Sequence, residues 1–115
     1  LFMHELSLCQ SLFNIIYQEA ERIQCEKITH VFLEVGQLAA IDKAALLFAF
    51  KAVTMNTIAQ EATLEMIEVE AKAVCENCGK TVMIQSYYEA CEACQLFCLR
   101  IIQGEELRVQ SIEVE

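Results

Sequence analysis

Four cysteines in the second half of the chain form two CxxC pairs with the spacing of a metal site. Cys75 and Cys78 make the first pair, Cys91 and Cys94 make the second, and 12 residues separate the two pairs. A CxxC turn places two sulfurs within reach of one ion, and two such turns complete a tetrahedral set of thiolates. Gly79 follows the first pair and allows a backbone turn in which main-chain N–H groups approach the sulfurs. Because a closed four-thiolate set leaves no position for substrate, we predict a structural zinc site.

Two alternatives remain open for these four cysteines. An iron ion in a rubredoxin-like site would use the same ligands, and absorption in the visible range would reveal it. Two redox-active disulfides would require a CxxC at a helix start within a βαβ unit, a pattern that this sequence does not indicate. Of the other cysteines, Cys9 is interpreted as a small core residue. Cys98 lies four residues beyond Cys94, near enough to compete for the metal, but it is not counted among the ligands, and Cys25 receives no role.

His4, one of only two histidines, lies near the start of the chain in the segment Met3-His4-Glu5. A histidine in second position beside a free α-amine can hold a square-planar metal through the amine, a deprotonated backbone amide and the imidazole. That geometry suits Ni(II) or Cu(II). Taken alone, the segment is more typical of a solvated terminal histidine. With Leu1-Phe2 attached, the free amine is two residues too far from His4 for this arrangement.

Two helices are expected to position these groups. Apolar residues recur every three or four positions from Leu6 to Ile23, which predicts one face of a helix. Asp42 has the short oxygen-bearing side chain of a helix cap, and a second helix is predicted from there through Val53. Because this second segment is apolar nearly all round, we expect it to be buried on more than one side.

Strands are predicted where apolar and polar residues alternate and β-branched residues are frequent, at 27–36, 62–70 and 106–115. In the second of these the apolar phase slips between Met66 and Ile67, which indicates burial on both faces or a bulge. The last strand has a similar slip between Gln110 and Ile112.

The order of the elements predicts an α+β fold, with two helices on one face of a small β-sheet and an inserted zinc-ribbon-like domain. The cysteine-rich insert, 71–103, interrupts the sheet, so its two ends are expected to lie close together. Residues 81–90, between the cysteine pairs, have enough β character for a hairpin.

Composition excludes several classes of protein. The chain has 115 residues and a hydrophobic fraction of 56%, which is ample for one small domain or two very small ones. No apolar run is long enough for a membrane span, and no secretory signal is expected at the start. The formal net charge of −9 disfavours nucleic acid, whose binding depends on clustered Lys and Arg. Paired CxxC spacings without an export signal predict a metal site in the reducing cytoplasm.

The whole chain from Met3 onward resembles the HypA/HybF family of hydrogenase-maturation nickel chaperones. Besides the two CxxC pairs, the resemblance rests on MHELSLC (3–9), LEVGQLA (33–39), Ile41-Asp42, FAF (48–50), TIAQ (57–60) and GEELRVQSIEVE (104–115). The chain departs from the family pattern at Asn56, where the family commonly has glycine, and in having no proline near the cysteine pairs.

The resemblance implies a nickel-binding domain at 3–70 and 104–115 and a zinc-binding domain at 71–103. It implies nickel ligands from His4 and from the backbone nitrogens of His4 and Glu5, with the Glu5 side chain tuning the site or a partner contact. The four cysteines of the CxxC pairs are then the zinc ligands. It also implies no catalysis. The expected partners are a HypB-type GTPase and the [NiFe]-hydrogenase large-subunit precursor, in some cases also urease, and the chain is expected to be a monomer or a homodimer.

Other classes of function are weighed against this interpretation. A zinc-ribbon interaction module without nickel chemistry would hold zinc in the same thiolates and bind no nickel even from a Met3 start. A nucleic-acid-binding ribbon is disfavoured by the acidic charge. An enzyme is the least favoured class, because His30 lies in a predicted strand and is interpreted as a strand-face histidine rather than a base.

Overall fold

The computed structural model describes the backbone of residues 2–115 and the side chains of residues 5–115. Its elements, in chain order, are α1 (Phe2–Ile23), β1 (Ile28–Gly36), α2 (Lys43–Thr54), β2 (Thr63–Val69), β3 (Lys72–Cys75), β4 (Thr81–Met83), β5 (Leu99–Gln103) and β6 (Leu107–Val114). They form two three-stranded sheets, with strand orders β2-β1-β6 and β4-β3-β5. The predicted α+β class is therefore confirmed. Neither of the two described helices combines the length and the hydrophobicity that a membrane span requires.

The chain divides into two compact units. The first, called here the helical unit, runs through Leu33 and resumes at Ile41–Ile67 and Arg108–Glu115. The second, called the ribbon unit, consists of Glu34–Ala40 and Glu68–Leu107. The domain boundaries expected from the resemblance, 3–70 with 104–115 and 71–103, stay a prediction.

The core of the helical unit follows the periodicities of the sequence. The inner face of α1 buries Cys9, Phe13, Ile16 and Ala20, spaced by three or four residues as a helix requires. From the sheet, β1 contributes the buried side chains of alternate residues, Val31 and Leu33. Residues of both helices and of all three strands line one small internal cavity: Cys9, Leu12, Ile16, Val31, Leu33, Leu46, Phe50, Leu64 and Val109.

Helix α2 begins as the sequence predicts, but it buries only one face. The backbone N–H of Ala45 donates to Asp42 Oδ1 at 3.1 Å, which satisfies one of the free donors of the first turn. Leu46 and Phe50 are buried, whereas 61% of Phe48 is exposed. The expectation of burial on more than one side is wrong, because within this chain α2 packs only by the face that meets α1 and the sheet.

In the ribbon unit, β3 is the central strand. Ala73 of β3 pairs with Val82 of β4 on one side and with Ile101 of β5 on the other, both antiparallel. The predicted hairpin within 81–90 does not form; instead β4 pairs with β3 across the first cysteine pair, and the strand ends at Met83. The unit's core is small and includes two cysteines among its buried residues: Leu38, Ala71, Ala73, Cys75, Val82, Ile84 and Cys91.

The two ends of the cysteine-rich insert lie close together, as the sequence predicts. Gln103 Nε2 donates to the backbone carbonyl of Glu70 at 2.8 Å. Gly104 has a φ of +113°, and a Cβ added there would lie 2.5 Å from the Cα of Ala71. The approach of the two chain segments therefore requires glycine at this position.

Candidate metal centre

Two backbone turns of the same kind present the four cysteines. In the first, the N–H of Gly79 donates to the carbonyl of Cys75 at 2.8 Å, and Gly79 adopts a φ of +77°. In the second, the N–H of Gln95 donates to the carbonyl of Cys91 at 2.7 Å, and Gln95 adopts a φ of +63°. Glycine adopts this left-handed backbone conformation without a steric penalty, as at Gly79, whereas Gln95 adopts it at the steric cost of its side chain. Sequence reasoning missed the strained residue of the second turn, because no glycine marks that position.

The geometry of the four sulfurs fits a zinc ion. The Sγ atoms of Cys75 and Cys94 are 3.6 Å apart, and those of Cys78 and Cys91 are 3.7 Å apart. All four sulfurs lie within 4.8 Å of one another. A tetrahedron with Zn–S bonds of about 2.3 Å has edges of about 3.8 Å, close to the observed separations. Both turns thus contribute to one compact thiolate set.

The electrostatics of the turns favour ionised sulfur at two of the four positions. The backbone N–H groups of Cys94 and Ala93 lower the pKa of Cys91 to about 6. The backbone N–H of Cys78 likewise lowers the pKa of Cys75. The backbone N–H of Lys80 also lowers the pKa of Cys78, but desolvation and the neighbouring thiols outweigh it and raise that pKa to about 11. Four adjacent thiolates therefore need a cation between them to ionise together.

Comparison with known proteins places the chain in a family. The sequence model described as "Hydrogenase/urease nickel incorporation, metallochaperone, hypA" matches residues 3–114. The chain belongs to the HypA family. By that membership it is a nickel metallochaperone that serves hydrogenase or urease maturation, and the family carries a structural zinc besides its nickel cargo. The four clustered cysteines fit the zinc.

Individual HypA proteins match along nearly their whole length. The hydrogenase maturation factor HypA of Legionella pneumophila (strain Lens) is 44% identical over 113 residues, which are 98% of this chain and 100% of that protein. HypA of Acidithiobacillus ferrooxidans (strain ATCC 53993) is 41% identical with the same coverage. The solution structure of the Ni metallochaperone HypA from Helicobacter pylori superposes with a TM-score of 0.72 at 27% identity and covers 96% of each chain. A second solution structure of a HypA protein gives a TM-score of 0.77 at 28% identity, over 98% of this chain and 97% of that one.

At the other end of this HypA chain, the predicted nickel ligands lie at the start of α1. The side chain of His4 lies outside the described residues. Glu5 lies in the first turn of α1 and is only 2% exposed, a burial that its charge did not predict. The other histidine, His30, behaves as the sequence indicates: its Nδ1 lies 3.1 Å from Glu113 Oε1, and its ring stacks on Phe32.

The three cysteines outside the CxxC pairs do not join the sulfur cluster. Cys9 is buried in the helical unit with its Sγ 3.5 Å from the carbonyl of Leu46, and burial together with the charge of Glu5 raises its pKa to about 11. Cys9 is thus the small core residue that the sequence predicts. Cys98 packs against the core of the ribbon unit but is not among the four clustered residues. Cys25 is half-buried, with its Sγ 3.7 Å from the carbonyl of Ala20.

Proposed function

We propose that Cys75, Cys78, Cys91 and Cys94 hold a structural zinc ion and that 71–103 is the zinc-binding domain. The observation that carries this assignment is the mutual approach of all four sulfurs to within 4.8 Å. When bound, zinc joins the two turns and neutralises their thiolates, and it carries out no reaction. The metal content of the purified chain tests the assignment. We expect a single zinc ion per chain, and an iron ion with visible absorption would contradict it.

The nickel cargo binds elsewhere, because the four-thiolate set is closed and offers no free coordination position. We assign nickel to His4, with the backbone nitrogens of His4 and Glu5, in a nickel-binding domain formed by 3–70 and 104–115. The family match extends over this segment, since it begins at Met3. Incomplete coordination at a chain end allows an acceptor to take the ion by ligand exchange.

Nickel titration of matched proteins tests the terminal site. The chain cut to begin at Met3 should bind Ni(II), and His4→Ala in the same background should abolish that binding. His30→Ala is the matched control, because it removes the only other histidine and should leave nickel affinity unchanged. The chain with Leu1-Phe2 attached should bind nickel more weakly. Equal affinities for the Met3 protein and its His4→Ala variant would refute the site.

Membership in a maturation family implies contact with maturation machinery, and we propose two specific partners. These are a HypB-type GTPase and the [NiFe]-hydrogenase large-subunit precursor, with urease as an alternative recipient. The chain would act in the cytoplasm and deliver metal without catalysing a reaction. Co-purification of tagged, zinc-loaded chain with each candidate tests the assignment. A protein that keeps its zinc but binds neither nickel nor these partners would instead be a zinc-ribbon interaction module.

A further inference from the structure

The four clustered cysteines differ in how well solvent reaches them. Cys75 and Cys91 are fully buried. Cys94 is half-buried, whereas Cys78 is exposed. The backbone beside Cys78 also borders open space, since a Cβ added at Gly79 would have no heavy atom within 4 Å apart from its chain neighbours. A reagent dissolved in water therefore reaches the cluster at Cys78.

The sulfurs also differ in the hydrogen bonds that they accept. The Sγ atoms of Cys75 and Cys91 each accept two backbone N–H groups, whereas that of Cys78 accepts one, from Lys80. Hydrogen bonds stabilise the negative charge of a thiolate, and a more stabilised thiolate is a weaker nucleophile. Because zinc binding ionises all four cysteines, their reactivity then depends on exposure and hydrogen bonding rather than on which of them holds a proton. Both criteria favour Cys78 over the two buried cysteines, and its exposure favours it over Cys94.

We propose, on the basis of the zinc site assigned above, that Cys78 is a modification site at which a peroxide oxidises the zinc-loaded chain and makes it release its metal. In the first step, the thiolate Sγ of Cys78 attacks one oxygen of hydrogen peroxide, and the O–O bond breaks. The departing hydroxide takes up a proton and leaves as water. Cys78 is thereby oxidised to a sulfenic acid, which holds zinc less well than a thiolate.

Cys91 completes the reaction, because its Sγ lies 3.7 Å from that of Cys78. The Cys91 thiolate attacks the sulfur of the sulfenic acid, an S–S bond forms and the S–O bond breaks, and the released hydroxide is protonated to water. In total, one peroxide and two protons are consumed, two thiolates become a disulfide, and two water molecules form. Only two thiolates of the set then remain, which are too few for a structural zinc site. A thiol reductant reverses the oxidation by disulfide exchange.

The alternative product is a disulfide within the first turn, between Cys75 and Cys78, but the sulfur positions favour a bond between the turns. Cys78 and Cys91 form one close pair of sulfurs, to which both turns contribute. Cys75 forms the other close pair with Cys94 of the second turn, at 3.6 Å. A disulfide between Cys78 and Cys91 therefore joins the same two turns that zinc joins. The oxidised ribbon unit keeps these turns together, so the zinc site can form again on reduction.

Peroxide treatment of the purified zinc-loaded chain tests the proposal. Substoichiometric hydrogen peroxide is added, zinc release is followed with a chromogenic chelator, and the remaining thiols are then alkylated. Trypsin and a glutamyl endopeptidase place each clustered cysteine on a separate peptide, because they cleave after Glu76, Lys80, Glu89 and Glu92. We expect peptide 77–80 linked to peptide 90–92, in proportion to the zinc released. A disulfide within the first turn, or one that omits Cys78, overturns the proposal.

Two histidine variants separate the position of the reactive thiolate from the charge of the site. Three cysteines and one histidine can hold zinc, so Cys78→His and Cys94→His should both keep the metal and lose the same thiolate charge. Peroxide should release zinc from Cys78→His about tenfold more slowly than from the wild type. Cys94→His keeps Cys78 and should respond like the wild type, as should Cys98→Ser, whose position lies outside the cluster. Equal rates for the two histidine variants contradict the proposal.

A second measurement uses the wild type alone and so does not depend on how a variant folds. N-ethylmaleimide, which adds to ionised sulfur, should label Cys78 first among the four clustered cysteines. First labelling of any other member overturns the proposal. The zinc content before treatment separates the two hypotheses. A chain purified without zinc refutes the zinc site itself, whereas a zinc-loaded chain whose oxidation begins elsewhere refutes only the role of Cys78.

Discussion

Different interactions stabilise the helical unit and the ribbon unit. In the helical unit, large apolar side chains such as Leu33 and Leu46 are fully buried between two helices and a sheet. In the ribbon unit, the buried set is smaller and includes alanines and two of the four clustered cysteines, Cys75 and Cys91. Burial of apolar area can stabilise the first unit by itself. The second has so little apolar volume that two of its four proposed zinc ligands form part of its core, and we therefore expect it to depend on the metal for stability.

The largest expected effect comes from breaking the thiolate set. Cys91→Ser removes a fully buried member of the proposed zinc site, so the chain should lose its zinc and the ribbon unit should unfold, because structural zinc contributes on the order of 10 kcal/mol or more to such folds. NMR spectra should then lose dispersed signals from the ribbon unit and keep those of the helical unit. Cys98→Ser is the control, since Cys98 lies outside the cluster and its variant should keep zinc. A Cys91→Ser protein with an intact ribbon unit would contradict this view.

The converse experiment breaks the helical unit without touching the metal. Leu46 is fully buried, so Leu46→Ala should lower the free energy of unfolding of the helical unit by about 2–5 kcal/mol. Its neighbour Leu47 is 40% exposed, and Leu47→Ala should change stability by roughly 0.5 kcal/mol. Urea unfolding followed by circular dichroism measures both, and zinc content should be unchanged in both. Loss of zinc from Leu46→Ala would show that the two units do not fold separately.

The two units also differ in how far the sequence predicts them. In the helical unit, the periodicity of the apolar residues shows which face of a helix or strand is apolar. Apolar residues three or four positions apart correctly predicted that Ile16 is buried, and apolar residues two positions apart correctly predicted that Leu33 is buried. The same signal failed for Phe48, since a helix that is apolar all round does not reveal which face meets a neighbour. The burial of Glu5 was missed because a charge is expected outside.

In the ribbon unit, spacing rather than periodicity carried the prediction. The CxxC pairs identified all four clustered sulfurs, because two residues between cysteines is the separation that a metal-binding turn requires. The left-handed backbone of Gln95 was not predictable, because no local preference of glutamine favours it. The matching hydrogen-bond pattern of the two turns imposes that conformation, and it becomes visible only in three dimensions.

A smaller effect should follow from a change in the first turn. Gly79 has a φ of +77° and no atom within 4 Å of an added Cβ, so Gly79→Ala creates backbone strain without a clash. The cost should be about 1–2 kcal/mol. If zinc binding and folding of the ribbon unit are coupled as proposed, this cost should appear as zinc retention weakened by about fivefold to thirtyfold in competition with a chelator. The urea midpoint of the helical unit should be unaffected, and a shift of that midpoint would contradict the expectation that the two units fold independently.

The smallest effect is expected in the second turn, where the change should strengthen zinc retention rather than weaken it. Gln95 is exposed and holds a φ of +63°, so Gln95→Gly removes the strain of a side chain in the left-handed region. Glycine loses more freedom on folding, which offsets about 0.5–1 kcal/mol of the gain. The net result should be tighter zinc retention by up to about tenfold in the same chelator competition. Weaker zinc retention would mean that the Gln95 side chain itself stabilises the turn. Tighter zinc retention would show that backbone conformation around the thiolates, more than apolar packing, limits the stability of the ribbon unit.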